Sequence, residues 1–138
     1  MEIKTYNSVK DFIKSIDDEI ARLRTALGKY LRDMDDIRSK AERLKRLEET
    51  LKKIGGEKPS IIETRELKLG PLSVVINPTP LQELSALEDI VKDVQDRLTI
   101  LENIRKSLEP LEALEDVEAK VEVYLKDNMP KKVFIRLE

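Results

Sequence analysis

The sequence predicts a mainly α chain with small β elements: an antiparallel two-helix coiled-coil hairpin, a β-hairpin between the helices, and short terminal strands. Three observations lead there. Apolar residues recur at alternating spacings of 3 and 4 over residues 8–54 and again over 80–127. Between these stretches lies a short β-branched run bracketed by Pro59 and Pro78. Charged residues make up 39% and aromatics only 4%, the profile of long helices that bury a thin seam. The 138 residues read as one elongated domain.

The elements follow in order. Residues 1–7 alternate polar and apolar as a short strand does. Ser8 and Asp11 then form a capping-box variant that opens helix 1 over 8–54. Its seam runs through Ile13, Ile16, Ile20, Leu23, Leu27, Tyr30, Met34, Ile37, Ala41 and Leu44. It continues through Leu47, Leu51 and Ile54, and the extra spacing of 3 at Leu47 resembles a stammer. Gly55-Gly56 stops the helix, which at ~1.5 Å per residue is roughly 70 Å long. Residues 59–78 read as a β-hairpin turning at Gly70-Pro71. Thr79 caps the second helix and Pro80 takes its first position. That helix is predicted over 80–127 and kinked near Pro110. Residues 131–137 form a last strand, with Val133, Ile135 and Leu137 on one face and Phe134 on the other.

Two helices of similar length joined by a compact hairpin should fold back antiparallel. Opposed residue numbers would then sum to about 134, pairing Ile20 with Leu114 and Tyr30 with Ile104. Tyr6, Phe12, Tyr124 and Phe134 would gather at one end. Residues 8–54 carry 13 basic and 10 acidic side chains, and 80–127 carry 6 and 13. These opposite net charges favour the pairing. The apolar stripe is wider than a two-helix seam needs, since Val9, Phe12, Leu31, Ile90 and Ile100 lie off the heptad. A surplus apolar face must be covered, either in a homodimer or higher homo-oligomer, which is the expected state, or by the last helix folding back at a kink at Pro110.

Several classes of chemistry are disfavoured. The chain has no Cys, no His and no Trp, which removes disulfides, thiolate or imidazole metal sites, and Cys or His catalysis. Gly55-Gly56 lacks the following Lys-Ser/Thr of a phosphate-binding loop. Asp33 and Asp36 share a helix face, yet they flank the seam residue Met34 and read as a solvated, ion-paired surface rather than a Mg²⁺ site. The basic stretch from Arg38 to Lys58 is the one plausible nucleic-acid patch. No aromatic interleaves it for base stacking, and the net charge of −2 argues against a dedicated nucleic-acid binder. No enzyme activity, catalytic residue, metal or cofactor is expected. No secretory signal or apolar run of membrane-spanning length is visible, so the expected location is the cytoplasm, with no membrane partner. Only 2 Gln and 4 Asn beside many Lys, Glu and Arg suggest a thermophilic source.

The candidate partner-binding residues are those of the short strands. Val133, Phe134, Ile135 and Leu137 present apolar groups on both strand faces, for burial in the protein's own assembly or donation to a partner sheet. Val74, Val75 and Ile76 belong to a two-stranded hairpin, which is barely stable alone. It should join an equivalent hairpin or pack back on the helices. The expected function is therefore non-enzymatic: a coiled-coil structural or interaction protein serving as adaptor, spacer or assembly factor. The order helix, β-hairpin, helix also resembles prefoldin subunits in topology over most of the chain. That resemblance implies a holdase whose coiled-coil ends grip unfolded chains, although the terminal strands depart from it.

Overall fold

The computed structural model describes residues 1–55 and 63–138. The elements are β1 (Glu2–Tyr6), α1 (Val9–Lys53), β2 (Arg65–Leu69), β3 (Leu72–Ile76), α2 (Pro80–Ser107), a 3-10 helix (Glu109–Leu114), β4 (Ala119–Lys126) and β5 (Met129–Leu137). The mainly helical class, the first helix, the hairpin between helices and the terminal strands agree with expectation. Contacts divide the chain into unit 1, Met1–Ala26 with Val94–Glu138, and unit 2, Leu27–Asp93.

Local chemistry sets the helix ends. Ser8 Oγ accepts the Asp11 backbone N–H at 3.0 Å and caps α1. The helix stops where Gly55 turns left-handed at φ 72°; Gly56 and residues 57–62 lie outside the described residues. At α2 the cap is reciprocal. The Gln82 N–H donates to Thr79 Oγ1 at 3.2 Å, and the Thr79 N–H donates to Gln82 Oε1 at 2.9 Å. Two orphan donors are thereby satisfied, and Pro80 at the first helical position has no N–H to lose.

The helix expected over 80–127 is corrected to one of 28 residues, Pro80–Ser107. Pro110 cannot donate to the helical ladder and its ring opposes a continuing α turn. The chain tightens into a 3-10 helix at that point instead of kinking and going on. Beyond it, Ala119, Val121, Val123 and Leu125 alternate with Lys120, Glu122, Tyr124 and Lys126, which is a strand's period of two. A heptad through Val117, Val121 and Tyr124 fits the same letters but leaves Ala119, Val123 and Leu125 without a place. Asp127 and Asn128, expected to end a helix, are the two loop residues of a β4–β5 hairpin. Both are left-handed, at φ 54° and 63°, as a type I′ turn requires.

The shorter α2 changes the pairing within unit 1. Arg105 reaches Asp17 and Arg24 reaches Glu102, so opposed residue numbers sum to 122 and 126 rather than 134. Ile20 therefore does not face Leu114. In unit 2, Ile37 and Ala41 line one cavity with Pro80 and Leu84, on the same shifted register.

The sheet of unit 1 has the order β1-β4-β5, antiparallel throughout. The terminal strands do not pair with each other, because β4 lies between them. A bulge at Lys131 separates the pairs Tyr124–Lys132 and Leu125–Pro130. Val121 and Val123 of β4 and Val9 and Phe12 of α1 are the most fully buried side chains. Among the described residues, 17 apolar side chains are buried, and of these only Met34 and Val91 belong to unit 2.

Two stability outcomes follow. Gly28 sits inside α1, and an added Cβ would meet nothing closer than Arg32 Nη1 at 3.7 Å. Gly28→Ala should therefore stabilise by about 0.5–1 kcal/mol in urea denaturation. Asn128→Ala should cost about 1 kcal/mol, because alanine lacks the side-chain amide that lets asparagine tolerate the left-handed turn, whereas Asn128→Gly should not.

Candidate interaction surfaces

Unit 1 is laced by exposed and half-exposed ion pairs. Arg105 joins two carboxylates. Its Nε donates to Asp17 Oδ1 at 2.8 Å and its Nη2 to Glu112 Oε1 at 3.0 Å. One guanidinium thus ties the end of α2 to α1 and to the 3-10 helix, and the carboxylates of Asp17 and then Glu112 hold its pKa above the usual value. A cavity of about 300 Å³ lies between the sheet and the helices, with Lys4, Tyr6, Phe12, Glu19 and Arg97 among its walls. Glu19 accepts from Arg22 Nε at 2.9 Å. That hydrogen bond holds its carboxyl below the ordinary value; partial burial opposes the shift, and the charges of Arg22, Lys4 and Arg97 reinforce it. The polar wall of this cavity is an internal charge network.

The four candidates on β5 divide between the two sheet faces. Val133 and Ile135 pair with Val123 and Val121; they face the core and are half-buried. Phe134 lies on the outer face, where its ring meets Tyr124 edge-on at 5.0 Å and Lys132 Nζ lies 5.7 Å from its centre. Leu137 is exposed. The expected single aromatic cluster is two pairs, because Tyr6 faces the core and contacts Phe12 at 5.7 Å. Ile3, opposite Tyr124, extends the outer apolar patch, a residue that strand pairing reveals and local pattern did not. The free edge of β5 carries Pro130, Lys131, Lys132 and Arg136, residues that discourage strand addition.

The hairpin of unit 2 is the opposite case. Its register pairs Arg65 with Ile76, Leu67 with Val74, and Leu69 with Leu72. Leu67, Leu69, Leu72, Val74 and Ile76 therefore share one face with Arg65 at its open end, and of the five apolar residues all but the half-buried Val74 are exposed. Val75 lies on the other face opposite Glu66, with Ser73 and Lys68. The candidates Val74, Val75 and Ile76 are thus split. The missed Leu67 and Leu69 were legible in the alternation of Arg65-Glu66-Leu67-Lys68-Leu69. Gly70 at φ 63° followed by Pro71 makes a type II′ turn, and Thr64 Oγ1 closes the open end by donating to Asn77 O at 2.7 Å. β2 carries Arg65, Glu66 and Lys68, whereas β3, Leu-Ser-Val-Val-Ile, has no charge and no Pro. Only β2 has a guarded edge.

The remaining sequence features are surface. Asp35 accepts from Arg38 at 3.3 Å, and Arg46 lies 3.8 Å from Glu42. Among the described residues no group of three or more Asp or Glu side chains is gathered to hold a metal ion, and no helix is long and apolar enough to cross a membrane. Comparison with known protein families, with curated proteins and with solved structures finds no match.

The charge network gives two measurable outcomes. Arg105→Met should lower stability by about 1 kcal/mol, since its partners are half exposed, and Arg105→Lys should not restore the doubly bonded fork. Glu19 has a lowered folded-state pKa, so its contribution is complete above the ordinary value of 4.5 and is lost as pH falls through the lowered one. Glu19→Gln should remove that part of the acid-dependent loss of stability while costing no more than about 0.5 kcal/mol at neutral pH.

Proposed function

We propose that this chain is a non-enzymatic interaction protein, an adaptor, spacer or assembly factor, that works as a homo-oligomer. The observation that carries the reading is the hairpin of unit 2. It has one face that is apolar but for Arg65 at its open end, with four large apolar side chains exposed, and one strand edge without a charge. A two-stranded hairpin in that state is marginal by itself, and an unguarded apolar edge invites a further strand. The sequence of β3 suits a second copy of itself. Antiparallel self-pairing centred on Val74 sets Leu72 against the other copy's Ile76 and keeps both on the apolar face, because paired residues share a face. The outer patch of unit 1, Ile3 with Tyr124 and Phe134, gives a second surface for a protein partner.

The absence of cysteine from the sequence makes the test clean. Val74→Cys should yield a disulfide-linked dimer under mild oxidation, since directly paired strand residues lie within disulfide reach. Lys68→Cys on the guarded strand should not. Val74→Lys would set two ammonium groups side by side and should shift the mass measured by light scattering from oligomer to monomer. A wild-type protein that is monomeric at ~100 µM, well above a Kd in the low-micromolar range, overturns self-assembly. A monomer that suppresses aggregation of a denatured client would point to the holdase reading instead.

A further inference from the structure

The last three turns of α1 have lost their helix partner. Pro80, the first residue of α2, lines one cavity with Ile37, Arg38, Ala41 and Glu42. α1 runs on to Lys53, so about ten residues extend beyond the start of α2. The apolar seam does not stop with the partner. Leu44, Leu47, Leu51 and Ile54 continue it at spacings of 3, 4 and 3. Leu44, Leu47 and Ile54 are exposed at 44, 48 and 73%, and Leu51 is half-buried. A coiled-coil seam without an opposing helix is an incomplete interface.

Charge is distributed along the same boundary. Residues 27–42 of α1, which include the part beside α2, hold four basic and four acidic side chains. Residues 43–53 hold five basic (Arg43, Lys45, Arg46, Lys52, Lys53) and two acidic (Glu48, Glu49). The whole positive excess of α1 in unit 2 therefore lies on the overhang. The part of α2 in this unit, residues 80–93, has four acidic side chains and one basic, so the helix beside the charge-balanced stretch of α1 is itself acidic.

We infer that the overhang 43–54 docks an acidic amphipathic helix of a partner protein, which continues on this seam where α2 begins. The inference rests on the reading of the chain as an interaction protein and names the partner's chemistry. A second copy of the overhang is disfavoured, because it would bring two segments of net charge +3 together. Nucleic acid is disfavoured because four large aliphatic side chains occupy the middle of the surface and no aromatic is present there for stacking.

The test uses the full chain and two labelled synthetic peptides. Each has three heptads with Leu at positions a and d; one carries Glu at e and g, the other Lys. The acidic peptide should bind and should weaken as salt rises. Leu47→Ser with Leu51→Ser should reduce that binding at least about tenfold, as expected for losing buried leucines, with the circular dichroism unchanged. Lys45→Glu with Lys52→Glu should weaken the acidic peptide and strengthen the basic one. Equal binding of both peptides, or acidic-peptide binding indifferent to the leucine substitutions, overturns the inference. So does tight binding of mixed-sequence duplex DNA without peptide binding. An oligomer that the leucine substitutions dissociate would assign the seam to a second copy and overturn it too. Because Val74→Cys cross-linking reads the hairpin alone, failure of the peptide test and failure of self-assembly are separately visible.

Discussion

The packing of the first turns of α1 against the inner face of β4 is the interaction on which unit 1 depends. Phe12 lines one cavity with Val123 and Leu125 of β4, and it is buried, as are Val9 and the alternate strand residues Ala119, Val121, Val123 and Leu125. β1 and β5 gain their places by pairing with β4, and the half-buried Val133 and Ile135 extend the same apolar layer. Each exposed ion pair adds only ~0.2–1 kcal/mol, so Arg105, Glu19 and their partners tune the arrangement that apolar burial creates.

Unit 2 has no comparable layer. Among its described residues only Met34 and Val91 are buried apolar side chains, while ten large aliphatic ones are exposed. Conformational entropy opposes the ordering of every residue, so a unit that hides so little apolar surface gains most from contacts with something else. The hairpin and the α1 overhang are two separate expressions of that shortfall, and they differ in chemistry: one presents a strand without charge, the other an apolar seam with a basic border.

Much of this is legible in the sequence alone. Ser8, Thr79, Pro80 and Gly55 announced the helix ends through capping chemistry, and Gly70-Pro71 announced the hairpin turn. The reading failed where two periods fit the same residues. From Val117 onward the apolar positions satisfy a heptad loosely and a strand closely, and Pro110, which a long helix can hold as a kink, ends the helix here through its missing N–H. That single error displaced the interhelical register by about ten residues and concealed the overhang, since a longer α2 would have been expected to cover Leu44–Ile54. The outer patch of Ile3, Tyr124 and Phe134 needed the register of three strands, which no local pattern contains.

The strand order carries a consequence for the sequence of folding events. β1 is made first, but its hydrogen-bonding partner, β4, begins only at Ala119. Unit 1 is assembled from two stretches separated by the 67 residues of Leu27–Asp93, so closing it carries the entropy of a long loop. Unit 2 is contiguous and dominated by local contacts, which form fastest. The better-packed unit is thus the one whose sheet must wait for a strand that begins at Ala119. During synthesis, the apolar face of the first turns of α1 is exposed until β4 arrives to cover it.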